Sequence, residues 1–414
     1  MWTSLLIAKC QEAMRDLDAD SIDAGITDPP YGIGFMNKAW DTFRPGSHRE
    51  SKRPQWWSVD HPNPNIRNRH RSPAVSPSQI EYDMSRTGLV RFQTWTTEWA
   101  LEVLRVLKPG AHLLVCGAPR SFHRMTVGLE DAGFEIRDCL MWLFGQGFPK
   151  SKNLGDGWGT ALKPAWEPII LARKPLPKGM TTERAYRTLG TGGLHIDACR
   201  IAFDDDESSP AAARRASARR SGNAPMQERT LGVVSAREAN ALGKFGRRGS
   251  ALVYTRAREN EQLGRWPANL MLDADAAAML DDQTGVLTSR FFYCPKTSRA
   301  ERNFGCETLP QQSAGEMTGG RRAGSRGLHN PRAGAGRTSG AFNAHPTVKP
   351  IALMRYLVRL VVPAGGIVLD PFVGSGSTAI AALLEHRSCI GIDQEQQWIT
   401  VARHRVRAWK RKVT

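Results

Sequence analysis

Apolar positions fall into two periodic blocks, one before about residue 175 and one after about residue 343, with a long stretch between them that has little period. In the first block Thr3–Ile7 and Ile22–Thr27 are short apolar runs of strand length, and Gln11–Leu17 between them carries Met14 and Leu17 at helical spacing. The spacing predicts a helix over Thr97–Leu107, stopped at Lys108-Pro109-Gly110, then a buried strand over His112–Gly117. Arg120–Ala132 is a second helix ended by Gly133, and Glu135–Phe144 and Glu167–Ala172 are further strands. In the second block Ile351–Val362 is amphipathic, Ile367–Asp370 is a buried strand, Ser377–Glu385 a helix and Cys389–Asp393 a strand. A basic terminal helix follows, ending in Arg405, Arg407, Lys410 and Arg411. This alternation implies an α/β domain with an open sheet and helices on both faces.

Three stretches break the pattern. Residues 44–94 are polar and rich in Arg, His, Pro and Ser around Trp56 and Trp57, which reads as a basic loop or as a simple insertion. Residues 204–260 run from the acidic Asp204-Asp205-Asp206-Glu207 into Ala, Arg, Ser and Gly, and residues 312–341 are dominated by Gly, Ser and Arg, including Arg321, Arg322, Arg326, Arg332 and Arg337. An island from Gly264 to Tyr293 lies between the last two, its Phe291-Phe292-Tyr293 read as a small core. A net charge of +17 and a pI near 9.9 point to a polyanionic partner. With 41% hydrophobic residues the chain can bury a sizeable core, yet no apolar run is long enough to span a membrane, so a cytoplasmic location is expected. The seven cysteines show no Cys-x-x-Cys spacing, which argues against zinc and against a disulfide framework.

The candidate chemistry sits at the ends of two predicted strands. Asp28-Pro29-Pro30-Tyr31 follows Ile22–Thr27, and because each proline lacks an N–H the backbone stops pairing and leaves carbonyl acceptors outward. Asp28 adds a carboxylate and Tyr31 a flat ring, a set suited to holding an exocyclic amino group and its base; on these four residues alone a plain turn is the alternative. After Ile367–Leu369 the chain reads Asp370-Pro371-Phe372-Val373-Gly374-Ser375-Gly376-Ser377-Thr378, where the glycines would let a ligand approach the backbone. Asp393 ends the next strand, where a Rossmann-like site sets a carboxylate on a ribose hydroxyl. A third mark is His345-Pro346-Thr347-Val348-Lys349-Pro350.

Together the three motifs resemble those of the amino-group DNA methyltransferases, in the order of the beta permutation, over roughly residues 1–175 and 343–410. The resemblance implies a Rossmann-like seven-stranded, S-adenosylmethionine-dependent sheet, circularly permuted, with residues 1–174 and 343–414 as the halves of the catalytic domain. Residues 175–342 would then be a target-recognition region with flexible basic arms. It also implies that Asp28, Pro29, Pro30 and Tyr31 are catalytic, that Thr347, Lys349, Asp370, Pro371, Phe372, Gly374, Ser375, Gly376 and Asp393 hold the cofactor, and that no metal takes part. The target base would be flipped from double-stranded DNA, stacked on Tyr31 and held by Asp28 and the Pro29 carbonyl for direct attack.

Asp at the head of the motif favours adenine N6, with cytosine N4 as the alternative. A cytosine C5 reaction would need a Pro-Cys pair, and Cys294-Pro295 reverses it. An inactive DNA-binding regulator is opposed by the intact Asp28, Tyr31, Gly374, Gly376 and Asp393; transfer to RNA or to a protein side chain is a third reading. Gly145–Ser151, including Lys150, and Gly155–Gly159 suit a loop on a nucleic-acid backbone, and Trp142 either lines the base pocket or belongs to the core. The family's usual Gly-Asp-Cys triplet reads Ala8-Lys9-Cys10 here, so no adenine contact is carried over from it. Besides DNA, a homodimer and a restriction endonuclease remain open as partners.

Overall fold

The computed structural model describes residues 1–33, 41, 85–145, 151–201, 265–284, 292–294, 296–312 and 340–413. Most of the basic loop, the arm over 204–260, all of the arm over 312–341 but its end residues 312, 340 and 341, Lys150 and Phe291 lie outside the described residues. By packing the chain divides into two units, one of Met1–His195, Asn269–Ser289 and Tyr293–Thr414, the other of Ile196–Ala268 and Arg290–Phe292.

The first unit is built on β1 (Thr3–Ile7), β2 (Ile22–Thr27), β3 (Leu107–Cys116), β4 (Glu135–Leu143), β5 (Trp166–Arg173), β6 (Leu270–Leu272), β7 (Ile367–Asp370) and β8 (Ser388–Asp393). They lie in the order β1-β8-β7-β2-β3-β5-β4-β6, and a short strand ending at Tyr293 extends the β6 edge. Among these eight strands only β5 runs antiparallel to its neighbours. The seven expected strands are present, and β6 lengthens the sheet beyond β4. All six residues of β2 are buried, as a central parallel strand covered on both faces requires.

Helices cover both faces. α1 (Cys10–Arg15), α2 (Arg86–Val106) and α3 (Phe122–Asp131) share one core with the sheet, around Met14, Phe92, Trp99, Val103, Met125 and Leu129. α4 (Thr182–Leu189) packs on β3, while α5 (Ala274–Thr284) and α6 (Arg299–Asn303) precede the second block. α7 (Ile351–Val361), α8 (Ser377–Leu384) and α9 (Gln396–Val413) pack successively on one another on the other face.

Two sequence expectations change. α2 begins at Arg86, capped by the Ser85 hydroxyl on Gly88 N at 3.2 Å, so residues 86–94 of the expected basic loop are helix; Gly88 and Phe92 face the core. The expected break at Lys108-Pro109-Gly110 is instead the start of β3. The pairing partner of β2 jumps from Leu107 to His112, and this bulge accommodates a proline without an N–H and Gly110 at φ 79°.

The second unit is sparse among the described residues. Its bridge between Ile201 and Arg265 sits beside Arg200, which pairs with Asp197 at 2.7 Å and lies 5.1 Å from the ring centre of Trp266. Among the described residues no helix is long and apolar enough to cross a membrane.

Candidate active site

β2 and β7 are adjacent and parallel, so the turns after them emerge side by side at the carboxyl edge of the sheet. One buried carboxylate ties them together. Asp370 accepts the Thr27 hydroxyl at 2.7 Å, the Thr378 hydroxyl at 2.5 Å and Phe372 N at 3.1 Å, linking the ends of β2 and β7 to the first turn of α8. Burial outweighs these bonds and pushes its pKa up to about 7.

Between the turns lies a cavity of about 640 Å³. Of the residues expected at the site it is lined by Asp28, Pro29, Pro30, Tyr31, Thr347, Lys349, Asp370, Pro371, Phe372, Gly374, Ser375 and Asp393. Asp393 accepts Gly374 N at 3.1 Å and Glu395 N at 2.8 Å, and burial raises its pKa to about 6.

Gly376 is the exception. It faces away from the cavity, and a Cβ added there would stand 2.9 Å from Ala402 Cβ on α9; with φ at 82°, its glycine is required by helix packing rather than by a ligand. Gly374 does line the cavity, but a Cβ there would meet His345 Nε2 at 2.5 Å, so its missing side chain makes room for His345.

Lys349 makes contacts within the cavity that its sequence position does not announce. Its ammonium lies on Asp28, 2.7 Å from Oδ2, and donates to the Tyr31 hydroxyl at 2.9 Å, while Tyr31 in turn donates to Asp28 Oδ1 at 2.5 Å. Glu167 Oε2 of β5 stands 3.4 Å from the same ammonium. Burial works to lower the Lys349 pKa, but Asp28 and Glu167 together outweigh it, and the net shift is upward. Burial and the Asp28 carboxylate raise the Tyr31 phenol well above its ordinary value of 10.

The segment carrying Lys349 is held from several sides. Asn343 bonds Arg302 O at 2.9 Å through its side chain, Arg302 bonds His345 O at 2.6 Å, Glu301 caps Ile351 N at 2.9 Å and Ser377 Oγ donates to Lys349 O at 2.9 Å. Pro350 lacks an N–H and sits where α7 starts, so it costs the helix nothing. His345 is held neutral, burial and then Arg302 lowering its pKa to about 3. On the far side of the loop buried Arg405 of α9 bonds Ser375 O at 2.8 Å, burial lowering its pKa to about 10.

Other lining residues were not foreseen. Trp95 comes from the missed half of α2, and Trp398 meets the His345 ring edge-on at 4.7 Å between centres. Asp41 accepts Gly32 N at 2.6 Å and Ile33 N at 3.2 Å, closing the loop after the prolines. Lys9, Cys10, Gln11, Met354, Gln394 and Glu395 also line it, and Gln394 and Glu395 follow Asp393 directly. Trp142 is core, its indole N–H bonded to Cys294 O at 3.0 Å. All seven cysteines are free, and among the described residues none joins a metal-binding cluster.

The model of the DNA methylase family of N6/N4 methyltransferases matches residues 22–404, from the first residue of β2 to α9. The chain belongs to this family. A Type II methyltransferase, M.HindIII of Haemophilus influenzae, is 30% identical over 184 residues, 41% of this chain and 57% of that protein. M2.DpnII of Streptococcus pneumoniae, also a Type II methyltransferase, is 42% identical over 64 residues, 16% of this chain and 24% of its own length. The chain thus spans little more than half the length of the first relative and about a quarter of the second. Among solved structures, PvuII DNA methyltransferase, titled cytosine-N4-specific, superposes at a TM-score of 0.43 with 12% identity, covering 98% of this chain and 86% of that one.

Proposed function

We propose that this DNA methylase transfers a methyl group from S-adenosylmethionine to the N6 amino group of adenine in double-stranded DNA. The observation that carries the reading is the shared cavity. It joins an amine-accepting turn, Asp28–Tyr31, to a loop suited to a nucleoside, Asp370–Ser375 with Asp393.

The chemistry of the lining fits the cofactor. Asp393 and Glu395 are acceptors suited to ribose hydroxyls, Trp398 and Phe372 bring aromatic surface, and the turn from Asp370 to Ser375 brings backbone groups. Gly376 contributes by letting α9 pack close rather than by touching the ligand. When bound, S-adenosylmethionine supplies an electrophilic methyl group on a sulfonium.

This chain's part is orientation. Asp28 and the Pro29 carbonyl accept hydrogen bonds from the amino group and draw it toward a pyramidal geometry that frees its lone pair. Tyr31 stacks on the flipped base, its ring steadied by the hydroxyl's bonds to Asp28 and Lys349. Holding nucleophile and methyl carbon at attack distance is worth about 7–11 kcal/mol. As the new N–C bond forms the nitrogen gives up a proton, and Asp28 is the base beside it.

The head residue Asp28 supports adenine over cytosine. The charge of +17 and the exposed hairpin at Asn153–Gly159, with Leu154 and Trp158 open to solvent, support approach to DNA. Nucleoside mass spectrometry of DNA from expressing cells tests the reading. N6-methyladenine is expected with the wild type and not with Asp28→Asn; N4-methylcytosine alone would move the substrate to cytosine, and neither product would overturn the proposal.

A further inference from the structure

Both oxygens of Asp28 are already engaged, Oδ1 by the Tyr31 hydroxyl at 2.5 Å and Oδ2 by Lys349 at 2.7 Å. An ammonium has three donors, and Lys349 spends two, on Asp28 and Tyr31. At 3.4 Å stands Glu167 Oε2, a buried carboxylate oxygen with no hydrogen bond. A buried acceptor left without a hydrogen bond is costly; Lys349 is ion-paired with it, and the Lys296 ammonium also feels its charge.

A lysine kept on Asp28 would impede the reaction proposed above in two ways. It competes with the incoming amino group for the same oxygen. It also sets a positive charge next to a nitrogen that turns positive as it takes the methyl group, and within a site of low dielectric such a pair repels strongly. Rotation about the terminal side-chain torsions would swing the ammonium off Asp28 and close the 3.4 Å gap to Glu167 to a charge-assisted distance of about 2.8 Å.

We infer that Glu167 is the second berth of a lysine switch: Lys349 rests on Asp28 while the base is absent and moves onto Glu167 when the target amino group takes its place. Glu167 is then a positioning residue that acts through Lys349. The inference rests on Asp28 being the acceptor for the amino group. It explains why a carboxylate from the antiparallel strand β5 is held behind the site without lining the cavity.

The test is a double-mutant cycle of methylation kinetics on a duplex carrying the chain's own site, mapped first by sequencing methylated DNA from expressing cells. Glu167→Gln is expected to lower kcat tenfold or more while KM for the duplex and Kd for S-adenosylmethionine stay within about twofold, and Glu167→Asp to recover part of the loss. In a Lys349→Met background Glu167→Gln should change kcat by less than twofold, because the ammonium that moves between the two carboxylates is gone. Equal loss in both backgrounds, or wild-type kcat in Glu167→Gln, would overturn the switch while leaving the methylase reading in place. No methyl transfer to DNA by the wild type would remove both. A structure of the wild type on its duplex serves if the variants fail to fold: Lys349 on Glu167 supports the switch, and Lys349 still on Asp28 refutes it.

Discussion

Asp28→Ala should weaken the fold as well as abolish the reaction. The substitution removes the partner of a lysine that is only 7% exposed, and it strips the Tyr31 hydroxyl of its acceptor. Leaving one member of a buried ion pair behind costs about 3–5 kcal/mol; Glu167, 3.4 Å from the ammonium, offsets part of it, so about 3 kcal/mol is expected. Because the folded pKa of Lys349 is raised above its ordinary 10.5, the pair's stabilisation is fully present below pH 10.5 and is lost only as pH rises through the folded value. Urea unfolding followed by circular dichroism at pH 8 therefore reads the whole effect. Adding Lys349→Met removes the stranded charge and should restore about 2 kcal/mol while methylation stays absent. A single variant within about 0.5 kcal/mol of the wild type, or a double variant less stable than the single, would refute the ion-pair account.

Two further outcomes follow from the site. Gly376→Ala should lower stability by about 1–3 kcal/mol, since φ is 82° and Ala402 Cβ stands 2.9 Å from the new methyl, yet calorimetric affinity of the folded fraction for S-adenosylmethionine should change less than about threefold; lost binding in a variant of wild-type stability would restore the glycine to the ligand. Asp370, raised from 3.8 to about 7, makes the folded state hold the extra proton, so it contributes stability below pH 3.8 that is lost as pH rises through about 7, on the order of 4 kcal/mol at most. Asp370→Asn should flatten the fall in unfolding free energy between pH 4.5 and 8, and parallel curves for variant and wild type would show that the carboxylate is not the source.

What could be read from residues in order was whatever local covalent pattern dictates. β2 and β7 carry mostly apolar or small residues on both faces because central parallel strands are buried on both sides, and each runs into residues that forbid further pairing, Pro29-Pro30 in one case and the turn at Gly374 in the other. α7 shows its buried Leu353, Met354, Leu357 and Val358 as helical spacing. The start of α2 was hidden because it buries only Gly88 and Phe92 in its first two turns, too few to mark a period beside a long polar stretch. Pro109-Gly110 looked like a stop because a bulge is a property of two strands, invisible in either alone.

The motifs themselves are legible, and twelve of the thirteen residues expected at the site line one cavity. Their division of labour was not. Lys349 lies 321 positions from Asp28, and only the parallel pairing of β2 with β7, with α7 and its preceding segment pinned by Glu301, Arg302 and Ser377, brings the ammonium onto that carboxylate. The same holds for Gly376, whose constraint is a helix closing from residues 396–413, and for Glu167, which has no sequence signature because one acid on a strand acquires meaning only from the charge it faces. Sequence determined which chemical groups were available and which turns would present them; tertiary structure decided which charges meet, since electrostatic and packing forces act across space without regard to separation along the chain.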